Sequence, residues 1–140
     1  MNDLKNAKEK LIAGEYTCAL CCGSQIFAST LRGVKPLVAW YKSGKDFGGY
    51  SAADKVVGKA TAFLYVLLNV KAVFAKVISK SALDVLRESN IEVEYDQLVD
   101  NIINRQGDGI CPFETAVLNI DNPLAAYNVI IKKMRELNIV

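Results

Sequence analysis

The chain has 140 residues, of which 51% are apolar and 23% charged, and a net charge of +2. That is the size and make-up of one globular domain with its own core; it excludes a disordered or fibrous chain and removes the need for a disulfide or metal staple. The charge is too balanced for a nucleic-acid-binding surface, so nucleic acid is not expected as a partner. Histidine is absent altogether, and with it the imidazole base, the imidazole metal ligand and every Ser-His or Cys-His pair.

Met1-Asn2-Asp3-Leu4-Lys5 lacks the apolar core of a signal peptide. The longest uncharged apolar stretch, Ala60 to Val70, falls far short of the ~20 residues that span a bilayer. A cytoplasmic protein with reduced thiols and no membrane contact is expected, with residues 1–140 forming a single domain.

Leu4, Ala7, Leu11 and Ile12 recur at helical spacing and Gly14 is a stop, which predicts an amphipathic helix over 3–14. Tyr16–Cys22 and Gln25–Leu31 are β-type runs joined by Gly23-Ser24, a hairpin signal. Lys35–Lys42, with Pro36 in its first turn, predicts a short helix, and a loop follows to Tyr50. Ser51 then stands where it would cap a long helix over 51–69. Val56, Val57, Ala60, Phe63, Leu64, Leu67 and Leu68 make that helix apolar on nearly every side, hence buried.

Ala72–Ile78 reads as a central strand, Ser81–Asn90 as a helix and Ile91–Tyr95 as a strand with one wet face, together a βαβ unit. A short amphipathic segment over 96–105 leads to the turn cluster Gln106-Gly107-Asp108-Gly109. Pro112 and Pro123 each open a helix, and Leu124, Tyr127, Ile131, Met134 and Leu137 form the apolar stripe of the last one. The expected fold class is α/β, a three-layer-type mixed sheet with a buried helix.

Cys18-Ala19-Leu20-Cys21-Cys22 contains a C-x-x-C, but in a strand Cys18 and Cys22 point one way and Cys21 the other. Cys18 and Cys21 therefore cannot grip one ion, and no second C-x-x-C completes a site. These are read as small buried side chains.

The element order resembles the cytidine deaminase-like fold. Ser51-Ala52-Ala53-Asp54-Lys55-Val56-Val57-Gly58-Lys59-Ala60 and Gly109-Ile110-Cys111-Pro112-Phe113-Glu114 are similar to a family of uncharacterised prokaryotic proteins assigned to that fold. Zinc deaminases carry a His or Cys and a Glu at the start of the buried helix, and Pro-Cys-x-x-Cys after the next strand. Here those places read Ala53-Asp54-Lys55 and Ser79-Lys80-Ser81-Ala82-Leu83-Asp84, so neither zinc nor any other cofactor is expected. The formyl-transferring domain of purine biosynthesis is a member of this fold that works without zinc.

In open α/β sheets ligands bind beyond the carboxyl ends of the strands, near helix N-termini, whose unpaired N–H groups favour anions. Three predicted helix starts, at Ser51–Lys55, Ser79–Ala82 and Cys111–Glu114, are expected to converge there. Gly49 lets backbone approach a ligand, and Ser51, Ser81 and Glu114 supply polar contacts. Lys55 and Lys59 would stack on one helix face. Arg105 would clamp a phosphate or carboxylate. Cys111 at a helix N-terminus is a nucleophile candidate, with Asp54 and Lys55 as candidate acid–base partners. Trp40, Tyr41, Phe47 and Tyr50 would wall a pocket for a flat base or ring; as ordinary structure they simply cover the core, and the residues above are caps, turns and solvated charge.

Two functions compete. One is a small-molecule binder or metal-independent enzyme taking a small anionic, nucleotide-like ligand. The other is a catalytically inactive deaminase-fold module acting through protein association, for which a strand carrying alternating Glu92 and Glu94 suits a homo-oligomeric surface.

Overall fold

A computed structural model describes residues 2–104 and 106–139. Arg105, and with it the expected phosphate clamp, lies outside the described residues.

Helix α1 (Asp3–Ala13) begins at Asn2, whose side chain accepts from the Lys5 amide, and stops at Gly14. Strands β1 (Cys18–Cys22) and β2 (Gln25–Ser29) form the expected hairpin, turning at Gly23 with φ 59°. Helix α2 (Lys35–Lys42) follows with Pro36 in its first turn.

The predicted helix 51–69 is instead two elements. Ser51–Val57 is a strand, β3, and only Lys59–Leu68 is helical, as α3, with extended Gly58 between them. Helix propensity is a weak prior that tertiary context overrides. Here β3 fills the central slot of the sheet, antiparallel to β1 and parallel to β4 (Ala72–Ser79). Ala52 belongs to the larger core and Ala53 to the cluster under α1, so small side chains let helices close on both faces of one strand. Ser51 therefore caps no helix, and Lys55 and Lys59 share no helix face. The buried character expected of the segment holds for α3, whose Phe63, Leu64, Tyr65 and Leu68 are buried.

Helix α4 (Lys80–Glu88) is capped by Ser79, and β5 (Glu92–Val99) adds a parallel edge strand. The sheet order is β2-β1-β3-β4-β5. β5 continues through residues 96–99, where an amphipathic segment was expected, because its parallel pairing with β4 extends to Ser79↔Val99. Short α5 (Pro112–Ala116) and α6 (Pro123–Glu136) complete the chain. Helix α1 packs on one face of the sheet, while α2, α4 and α6 gather around α3 on the other. This is the mixed, three-layer α/β sheet that the sequence predicts.

The cysteines follow strand alternation. Cys18 and Cys22 pack with the larger core and Cys21 with the α1 cluster. The stripe of α6 is rotated from the expected one: Ala126, Ile130 and Met134 are buried, whereas Leu124 is 57% and Leu137 44% exposed. The helix meets its neighbours along a line of small and medium residues at i, i+4 and i+8, leaving the outer leucines to solvent.

Candidate ligand site

Parallel β3 and β4 end side by side, and each passes directly into a helix. Gly58 and Ser79 thus bring two helix N-termini together. At α4 the Ser79 hydroxyl accepts from the Ala82 amide at 3.2 Å and lies 3.3 Å from the Ser81 hydroxyl. At α3 the residue before the helix is glycine and offers no side-chain cap.

Glu114 supplies what Gly58 lacks. Its Oε2 accepts from the Lys59 amide at 2.6 Å, across 55 residues of chain. A Cβ on Gly58 would lie 2.7 Å from the Glu114 carboxyl carbon, so the carboxyl rests on a surface that only glycine provides. Burial pushes the Glu114 pKa upward; the Lys59 and Ala60 amides, the Ser79 hydroxyl and the Lys59 ammonium pull it partly back. The result is a carboxyl biased towards keeping its proton, held at two positive helix ends.

Cys111 is the residue before α5, half-buried, with its carbonyl accepting from the Thr115 amide. The Lys59 ammonium donates to the Leu118 carbonyl at 3.0 Å and stands 5.8 Å from the centre of the Phe63 ring, tying α3 to the stretch after α5. Thus Lys59, Ser79, Ser81, Cys111 and Glu114 belong to one end of the sheet. Of the three expected helix starts, Ser51–Lys55 is a strand; Glu114 of α5 instead meets the starts of α3 and α4 at Lys59 and Ser79.

Asp54 points into the core. Its Oδ2 accepts from the Tyr65 hydroxyl at 2.7 Å, its Oδ1 from the Val56 amide at 3.3 Å, and Cys18 is its cross-strand neighbour. Burial raises the Asp54 pKa to about 7 against these hydrogen bonds, and raises the thiol of Cys18 and the phenol of Tyr65 as well. Lys55, next along β3, is exposed, and its amide donates to the Thr17 carbonyl.

Ser51 and Gly49 lie at the other end of β3, about 20 Å from Gly58 along the strand. There the surface holds two hollows that share Lys71, one of about 360 Å³ reached by Gly49 and one of about 450 Å³ reached by Ser51. Tyr65, Gly58 and Lys71 do not stand out in the sequence as site residues. A tyrosine inside an otherwise apolar helix and a glycine after Val56-Val57 were the available signals for the first two. Phe47 and Tyr50 are buried against Phe27, with the Lys45 ammonium 5.4–5.6 Å from the three ring centres, and so cover the core.

The donor set at the carboxyl ends does not suit zinc. Its polar side chains are Lys59, Ser79, Ser81, Cys111 and Glu114, with one thiol and one carboxyl between them, and no group of three or more His, Cys, Asp or Glu able to hold a metal occurs among the described residues. No helix among the described residues is long and apolar enough to cross a membrane.

The fold and site together define a one-sheet α/β protein with a buried glutamate set across two helix starts. The chain belongs to the TM1506 family, a domain of unknown function (DUF1893), which it matches over residues 6–134. It is similar to the solved DUF1893 protein TM1506 of Thermotoga maritima, with 31% identity, a TM-score of 0.88, and coverage of 94% of this chain and 90% of that one. A dCMP deaminase from the cyanophage S-TIM5 is a far weaker neighbour, with 18% identity, a TM-score of 0.45, and coverage of 66% of this chain and 93% of that one. Comparison with curated proteins finds no match.

Proposed function

We propose that this protein binds a small anionic, nucleotide-like molecule without a metal, at the carboxyl ends of β3 and β4. The carrying observation is Glu114, a buried carboxyl with a raised pKa lying over Gly58 between the starts of α3 and α4. Ionised, Glu114 satisfies the α3 N-terminus itself and repels an anion. Protonated, it becomes a donor and leaves the helix dipoles to an incoming phosphate or carboxylate. Binding of an anion is therefore coupled to proton uptake by Glu114, and Cys111 lies at the edge of the same site.

The test is a thermal-shift titration with nucleotides and inorganic phosphate between pH 5 and 8. Stabilisation that grows as pH falls in the wild type, and is independent of pH in Glu114→Gln, supports the reading. Absence of any shift with every anion refutes it. A second reading, association between copies, is favoured by the open edge of β5, where Tyr95 is 36% and Leu98 37% exposed. Sedimentation at several protein concentrations separates the two.

A further inference from the structure

We propose a second binding site, independent of Glu114 and at the opposite end of β3, that takes a small zwitterion of the amino-acid type. Ser51, Ala72 and Glu92 are in register as the first residues of three neighbouring strands, and the first turn of α1 stands over them. Between lies the hollow of about 450 Å³. Ser51 is 1% exposed, and its Oγ is the buried side-chain polar atom that lacks a hydrogen-bond partner among the described residues. Buried hydroxyls are rarely left unpaired, because the desolvation cost is not recovered. Ser51 lies on the α1 side of β3, as Ala53 does, and lines this hollow.

The walls are fixed by backbone. The Lys71 amide donates to the Tyr50 carbonyl at 2.8 Å and the Glu92 amide to the Lys71 carbonyl at 3.1 Å. Asp3 is committed to the protein: its carboxylate accepts from the Gly23 amide at 2.9 Å and from the Lys71 ammonium at 3.2 Å. Glu92 has no ion pair among the described residues.

Both signs of charge thus border one hollow. Lys71 with its partner Asp3, the start of α1, and Glu92, which has no ion pair among the described residues, all line it. A simple anion meets two carboxylates, and a simple cation meets an ammonium and a helix N-terminus. A zwitterion satisfies both, its ammonium at Glu92, its carboxylate towards Lys71 and α1, and Ser51 Oγ bonding to either group.

The experiment is an amide-resolved NMR titration of the full chain with glycine and L-serine, using acetate and methylammonium at matched ionic strength as single-charge controls. Saturable shifts at Ser51, Lys71 and Glu92 with the zwitterions, and none with the controls, are expected. Ser51→Ala should weaken binding about tenfold, the value of one buried hydrogen bond, without lowering the melting temperature, since it removes an unpaired hydroxyl. Glu92→Gln, at an exposed position, should weaken it as well and leave the response at Glu114 unchanged. No saturable shift, equal response to acetate or methylammonium, wild-type affinity in Ser51→Ala, or an ordered water alone on Ser51 in crystals soaked with glycine would each overturn the proposal.

Discussion

Asp54→Asn should stabilise the protein in alkaline solution and do little in acid. Asp54 is buried, and its pKa rises from 3.8 to about 7 on folding. The folded state therefore holds the proton more tightly than the unfolded one. Stability from this source is complete below about pH 4, falls as pH rises towards 7 and is constant above. A shift of that size corresponds to about 4 kcal/mol. Asparagine keeps an oxygen to accept from Tyr65 and Val56 but cannot ionise. Glu114, also raised on folding, titrates in both proteins and cancels from their difference. Urea denaturation followed by Trp40 fluorescence at pH 4, 5.5, 7 and 8.5 gives that difference directly. It should move in favour of Asp54→Asn by about 4 kcal/mol between pH 4 and 8.5. Parallel stability curves for the two proteins over that range would refute the assignment of a buried, proton-holding carboxyl.

Tyr65→Phe removes the 2.7 Å donor to Asp54; it should cost about 2 kcal/mol at pH 8.5, where the acceptor is charged, and about 1 kcal/mol at pH 4, measured by the same denaturation. Gly58→Ala places a methyl 2.7 Å from the Glu114 carboxyl carbon and should destabilise by about 2 kcal/mol. Adding Glu114→Ala should recover most of that loss, and simple additivity in the double variant would show that the two positions do not touch. Alkylation followed by mass spectrometry should label Cys111 and Cys22 well before Cys18 and Cys21, which are buried and have raised thiol pKa values.

What the chain disclosed in advance depended on how local each signal was. Gly14, Gly23, Pro36, Pro112 and Asn122-Pro123 act on their immediate neighbours, and they mark α1, the hairpin, α2, α5 and α6 correctly. Alternation of Cys18, Cys21 and Cys22 was legible for the same reason. Ser51–Val57 was not, because Ser-Ala-Ala-Asp-Lys suits the first turn of a helix and becomes a strand only through β1 and β4 on either side. That one element explains most of what followed. Once residues 51–57 are extended, Ser51 and Lys59 move to opposite ends of the sheet, Asp54 turns inward to Tyr65, and Lys55 faces away. The partnership of Gly58 with Glu114 spans 55 residues, a distance at which no pattern in the chain links them.

The outer rim of β5 is a row of unpaired backbone groups eight residues long, bearing Glu92, Glu94 and Asp96. Such rims template the growth of cross-β assemblies, and repulsion between like charges on approaching copies is what holds them apart. What keeps the sheet from growing past β5 is thus a matter of a few surface charges on that strand and not of the core beneath it.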